Sequence, residues 1–323
     1  MKRIVALALC LLLCAPALGA CSRVAQDDGL SIVCTVFPFY DWTREIVSDA
    51  EGVELTLLVG NGGDAHSYQP SAEDIVRIRR ADLVIYAGGE SDAWVEQALR
   101  QSGKQESQSL RLYDAEGVTL RHISQESVLS EEHDHDHGHD CEDDIDEHIW
   151  LSLDNAAACV RTITEAICTA DAARETAYRE NAEDYLARLQ TLREGYAELA
   201  READRLFLLF ADRFPFVYLA EEYGMDYVAA FRGCTTDTDA DPDTIIRLAR
   251  AADENGVRAI LVTESSDGAL AEAVRRATAG KDQVIVALDS LQSVSESDRA
   301  AGVTYLSVME KNLEMLRQTF LSA

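Results

Sequence analysis

Between residues 172 and 204, Tyr178, Ala182, Tyr185, Leu189, Leu192, Tyr196 and Leu199 recur at alternating steps of four and three. That spacing keeps one stripe of a long helix apolar over many turns. Only Gly195 interrupts it, at a tolerable cost of ~1 kcal/mol in helix propensity. So regular a stripe is a packing surface rather than a cofactor site. It also divides the chain, because short β-branched runs alternate with helical patterns on both sides of it. The helix therefore reads as a stiff connector between two lobes.

On the N-terminal side, residues 31–37 and 53–59 and Asp82 to Tyr86 have the composition of buried strands. Helical patterns follow each: residues 40–49, the stretch to Arg80 opened by Ser71-Ala72-Glu73-Asp74, and residues 94–99. Pro38 is expected to stop the first strand. Asp154 to Thr169 gives a further helix. On the C-terminal side, strands are predicted at residues 205–211, 227–231, 259–263 and 284–288. The helices there fall at 216–223, 242–252, 270–277 and about 303–320. Strand-helix alternation implies parallel, doubly wound sheets. The predicted fold is α/β, two doubly wound βα lobes joined by one long rigid helix. Its expected divisions are a leader at 1–20, a tether at 21–30, a first lobe at 31–169, a connector at 170–204 and a second lobe at 205–323.

In doubly wound sheets ligands sit at the carboxyl ends of strands. Gly60-Asn61-Gly62-Gly63 closes the second strand and delivers Asp64-Ala65-His66-Ser67-Tyr68-Gln69-Pro70 into a loop there. His66 is thus a candidate ligand. The second candidate region is residues 131–150, which hold five of the seven histidines and ten acidic residues. His133, His135, His137 and His139 alternate with Asp or Gly, so neither helix nor packed strand is specified. Imidazole nitrogens suit zinc and its first-row neighbours. His148 stands apart, next to Ile149, Trp150 and Leu151, where an ordered core resumes.

The formal net charge is −29, from 58 acidic and 29 basic residues. Nucleic acid is excluded as a partner, since phosphate binding needs Lys and Arg. At the N-terminus, Lys2 and Arg3 precede an apolar run over residues 4–18, followed by Leu18-Gly19-Ala20-Cys21. This resembles the lipobox of bacterial lipoproteins, in which the cysteine carries the lipid; a plain secretory signal is the alternative. Export permits disulfides. Beyond Cys21 an odd number of cysteines remains, with no CxxC pair. Cys34, Cys159 and Cys168 lie in apolar surroundings and are expected as buried thiols. No Walker-type loop, GxSxG elbow or HExxH helix occurs. A zinc hydrolase would draw its base from Asp64, Glu147 or Glu264, and without such a motif an enzyme is not expected.

Together these stretches resemble the substrate-binding proteins of bacterial zinc and manganese ABC importers, the metal-binding or adhesin-lipoprotein family. The resemblance rests on residues 60–70 with His66-Ser67-Tyr68-Gln69-Pro70, on Ala81-Asp82-Leu83-Val84 and on Glu147-His148-Ile149-Trp150-Leu151-Ser152. The connector helix, Tyr223-Gly224, Leu288-Asp289-Ser290 and Tyr305 with Asn312-Leu313 complete it. It covers essentially all of the mature chain. It implies two four-stranded lobes with a metal in the cleft, held by His66, His148 and Asp289. It further implies Zn²⁺ as cargo, with a manganese-binding or adhesin-type member or a receptor for another solute as alternatives, a permease as partner, and a monomer anchored through Cys21 on the outer face of the membrane. The loop of His133, His135, His137 and His139, within residues 131–147, looks like the accessory metal-gathering loop of the zinc-specific members. One position departs from the pattern. Where the family has its third ligand, this chain has Arg213 or, counted from the strand end, Ala211. Asp212 or Cys234 are the candidate substitutes, and Arg213 is expected to pair with an acid such as Glu264.

Overall fold

The computed structural model describes residues 29–60, 63–104, 108–122, 127–129, 145–235 and 240–321. The lipidation candidate Cys21, the histidines at 133, 135, 137 and 139, and Cys141 lie outside the described residues. In chain order the first half holds β1 (Leu30–Cys34), α1 (Phe37–Val47), β2 (Val53–Leu57), α2 (Ala72–Arg80), β3 (Leu83–Tyr86), α3 (Ala93–Ser102) and β4 (Ser109–Arg111). Two long helices follow, α4 (Leu153–Ala170) and α5 (Glu175–Glu202). The second half continues with β5 (Phe207–Phe214), α6 (Val217–Glu222), β6 (Asp226–Arg232), α7 (Pro242–Asn255), β7 (Ala259–Thr263) and α8 (Ala269–Ala277). It closes with β8 (Val284–Leu288), α9 (Glu296–Ala300) and α10 (Tyr305–Leu321).

The strands form two four-stranded parallel sheets, ordered β2-β1-β3-β4 and β6-β5-β7-β8. In each, the first strand has neighbours reached by chain crossing in opposite directions. The crevice at that reversal is where such sheets accept ligands. Both sheets follow the same order, so two such crevices exist.

Local chemistry sets the element ends. Pro38 lies in the first turn of α1, where a missing N–H costs nothing, so it opens the helix rather than stopping the strand, which has already ended at Cys34. Ser71 and Asp74 form a reciprocal capping box at α2, and the Asp74 carboxylate also accepts from the Tyr68 hydroxyl at 2.8 Å. The strip β4 shows no strand pattern in the sequence, because it is three residues long and polar at two of them. β5 runs three residues further than its apolar run suggests, through a register irregularity between Phe210 and Arg213. Arg213 is therefore still on a strand, not at the start of a helix.

All seven stripe residues of α5 are buried. They join residues of both sheets, α1, α4 and α10 in one continuous apolar core. Gly195 has a packing reason: a Cβ there would stand 2.8 Å from Leu313 Cδ2, so the glycine lets α10 lie close against α5. Cys34, Cys159 and Cys168 are buried thiols, as expected, and burial raises the Cys34 thiol to about 12. Among the described residues no helix is long and apolar enough to cross a membrane.

Candidate metal centre

β2 ends at Leu57, and the chain then turns through a single 3-10 turn, Ala65–Ser67, that carries His66. Asp64 caps this turn by accepting the His66 backbone N–H at 2.9 Å. The His66 ring Nδ1 lies 2.8 Å from Ser91 Oγ and 3.3 Å from Glu147 Oε2. Burial alone would raise Glu147, but hydrogen bonds from His66 and Ser91 outweigh it and hold the carboxyl down at about 2. Gly89 is what admits this carboxylate, since a Cβ there would meet Glu147 Oε1 at 2.4 Å. An ionised acid beside Nδ1 fixes the proton there and leaves Nε2 with its lone pair.

His148 is built the same way. It is fully buried, and Asp146 Oδ1 accepts from its backbone N–H at 2.9 Å and faces its Nδ1 at 2.8 Å. The surrounding segment is held from the other half of the chain. Tyr218 donates its hydroxyl to the Asp146 carbonyl at 2.7 Å, Tyr305 to the Trp150 carbonyl at 2.6 Å, and the Trp150 indole to the Ser290 carbonyl at 2.9 Å. The edge of the Trp150 ring system also packs on His148, with centroids 5.3 Å apart.

The two remaining imidazole nitrogens consequently face each other, Nε2 to Nε2, at 3.1 Å, with the Gln292 amide nitrogen 2.5 Å from that of His148. Two lone pairs so placed repel unless a cation or proton sits with them. Two nitrogens on one tetrahedral zinc, each ~2.0–2.1 Å from the ion, would be about 3.3 Å apart. Among the described residues, the potential ligand atoms of His66, His148 and Cys234 lie within 4.8 Å of one another. Cys234 follows β6, and its approach depends on Gly233, where a Cβ would lie 3.0 Å from His148 Cε1 and 2.8 Å from the Phe214 carbonyl oxygen.

The other expected ligands are not brought into that group. Asp289 follows β8, but its Oδ1 accepts from the Leu291 backbone N–H at 2.8 Å, and burial raises its carboxyl. Asp212 turns away to β7, where Thr263 donates both its N–H, at 3.0 Å, and its hydroxyl, at 2.7 Å. Ala211 is buried inside the second sheet. Arg213 pairs with Asp64 at 2.7 Å, not with Glu264, whose carboxylate is taken by the Ser290 N–H and hydroxyl at 2.9 and 2.8 Å. The strand extension explains this, because Arg213 emerges level with the His66 turn of the first lobe. A polar cavity of about 660 Å³ opens there, lined in part by Asp64, Ser67, Arg213 and Asp267.

Sequence reasoning named the two imidazoles but not their supports. Asp146 is two residues from His148 and Ser91 is 25 from His66. An acid two positions before a histidine is a signal only in retrospect, in a segment so rich in acids. Ser91 carries no signal at all.

Comparison with known proteins agrees with this architecture. A family model described as zinc-uptake complex component A, periplasmic, matches residues 32–319. The zinc-binding lipoprotein AdcA of Streptococcus pneumoniae is 34% identical over 310 residues. That alignment takes in 95% of this chain but 59% of AdcA, so the chain spans little more than half of that relative's length. The high-affinity zinc uptake system protein ZnuA of Bacillus subtilis is 29% identical over 318 residues, 98% of this chain and 96% of its own. The solved Zn(II)-bound ZnuA-like domain of S. pneumoniae AdcA has a TM-score of 0.72 at 28% identity, covering 91% of this chain and 100% of that one. The periplasmic zinc-binding protein TroA of Treponema pallidum, with a TM-score of 0.71 at 21% identity, shares the fold. With nearly the whole described chain matched, two wound sheets and one long helix between them, this chain belongs to the zinc-uptake complex component A family of solute-binding proteins.

Proposed function

We propose that this chain is an exported metal receptor that captures Zn²⁺ in the cleft between its sheets and passes it to the permease of an ABC importer. The observation that carries this reading is the pair of Nε2 atoms 3.1 Å apart, each on a ring whose other nitrogen is held by a carboxylate. Such rings are pre-oriented, so binding a cation does not require their reorientation. Cys234 supplies the third donor as a thiolate. Two nitrogens and a sulfur suit zinc, whereas manganese favours carboxylate, carbonyl and water oxygen. Asp289 takes an outer place in this reading, and the histidines of residues 131–147 gather metal ahead of the cleft. Cys21 carries the lipid that tethers the protein outside the membrane.

A receptor fits the site better than a hydrolase. Each acid that could act as a base is already engaged: Asp64 by Arg213 and the His66 N–H, Glu147 by His66 and Ser91, Glu264 by Ser290. The test is calorimetry of Zn²⁺ binding to His66→Ala, His148→Ala and Cys234→Ala proteins. Loss of tight binding in both histidine variants is expected, with a weaker residual site in the cysteine variant. Unchanged affinity in both histidine variants would refute the reading.

A further inference from the structure

The first lobe sends a further segment across to the second, and it fastens on the strand that carries Cys234. Its root is firmly held. Asn155 of α4 grips both backbone groups of Thr119, its Oδ1 accepting the N–H at 2.8 Å and its Nδ2 donating to the carbonyl at 3.0 Å. The Arg121 carbonyl accepts the Asp146 N–H at 2.9 Å, and His122 forms an antiparallel bridge with Ile145. This is the stretch of backbone whose Asp146 carboxylate orients His148.

A few residues later the chain lies on the other lobe. Val128 makes a parallel bridge with Ala229, at the outer edge of the second sheet formed by β6. The Leu129 N–H donates to the Ala229 carbonyl at 2.9 Å, and Arg247 of α7 donates to the Leu129 carbonyl at 3.1 Å. Successive side chains of a segment added to a sheet fall on opposite faces, and these do. Val128 packs against the large core that holds Ala229, whereas Leu129 enters the second-lobe cluster of Val228, Ala230 and Leu248. Leu129 is only 8% exposed, so the attachment is an apolar hook rather than a surface touch.

We propose that residues 127–129 are a strap that holds β6, and with it Cys234, against the imidazoles, and that Leu129 as its positioning residue sets the rate of zinc exchange. The inference rests on the zinc reading of His66, His148 and Cys234 and goes beyond it by assigning the kinetics to a residue outside that group. From His122 to Val128 fully extended chain reaches at most about 22 Å. The lobes can part at this edge no further than that unless Leu129 leaves its pocket. β6 ends at Arg232, just before Gly233 and Cys234, so a restraint on the strand is a restraint on the sulfur. None of the strap's partners is a proposed donor, so its hold is the same whether or not an ion is bound. It therefore raises the barriers to entry and to exit alike and leaves the affinity little changed.

Stopped-flow zinc uptake and chelator-driven release are to be measured for the wild type, Leu129→Ala and Arg247→Ala, with hydrogen exchange of residues 127–129 followed in the same proteins. Leu129→Ala should speed uptake and release together by about ten-fold or more, with their ratio little changed. Arg247→Ala, on the exposed side of α7, should speed both by a smaller factor. Should Leu129→Ala fail to fold, that variant decides. The Leu129 amide is expected to exchange slowly in the wild type and fast in Leu129→Ala. Faster release with unchanged uptake would mark a loss of stability alone and overturn the strap, as would unchanged rates or fast exchange at Leu129 in the wild type. Each of these leaves the receptor reading standing, whereas a wild-type protein that takes up no zinc would sink both.

Discussion

Arg213 and Asp64 meet at 2.7 Å across the cleft, one from the end of β5 and the other two residues before His66. The pair is partly buried, with side chains 18% and 26% exposed, so it lies between the negligible worth of surface pairs and the high stakes of buried ones. Hydrogen bonding to Arg213 and to the His66 N–H outweighs the upward push of burial and lowers the Asp64 carboxyl. Removing the acid and removing the base are unequal acts. Asp64→Ala strips the cap from the His66 turn and leaves the Arg213 guanidinium without that partner beside the proposed cation site. Arg213→Ala leaves only an acid that water can reach. Zinc affinity should therefore fall more in Asp64→Ala than in Arg213→Ala. The double variant should recover part of the loss, with a coupling of about 1 kcal/mol or more. Additive losses in a chelator-competition series would show that the pair does not hold the loop.

Among the elements, α5 carries the clearest mechanical role, because one face of it packs against α1 and α4 of the first half and α10 of the second. Leu189 is fully exposed to that core and closed to solvent. Its truncation to Ala should cost about 2–5 kcal/mol, by lost transfer energy and the cavity left behind. Glu183→Ala on the opposite face is expected to change stability by no more than about 0.5 kcal/mol. Denaturant melts of the two variants provide the check. This stripe was legible from spacing alone, since a period of 3.6 is imposed by the helix and survives any tertiary setting. The same holds for the buried strands, whose apolar runs ended within a few residues of the observed bounds. What could not be read was the work of irregular backbone. β4 is too short to show a pattern, and the irregularity in β5 moves Arg213 onto a strand. His66 and His148 were readable because histidines beside a glycine-rich strand end and a core-forming triplet are uncommon. Cys234 entered only as one of two substitutes, since neither candidate has a local pattern; Gly233, which brings it beside His148, acts through a contact with residues far away in sequence.

For the molecule as a whole, the proposed donors His66, His148 and Cys234 come from opposite halves of the chain, so an ion bound there would join the halves. A ligand at 100 times its dissociation constant adds about 2.7 kcal/mol to folding stability. Zinc should raise the unfolding temperature of a single transition followed by circular dichroism, and a chelator should reverse the rise. Two separate transitions, of which zinc moved one alone, would contradict the shared core.

The helix α10 ties the fold together late. Its Tyr305 donates its backbone N–H to Asp41 of α1 at 2.8 Å, and Tyr196 of α5 reaches the Met309 carbonyl at 2.7 Å. Ribosomes build from the N-terminus, so both imidazoles exist long before the sulfur of Cys234 and the tyrosines that brace the His148 segment. On the proposed site, a nascent chain would offer passing ions only a loose, two-toothed grip, and tight capture would be deferred until the final helix has docked.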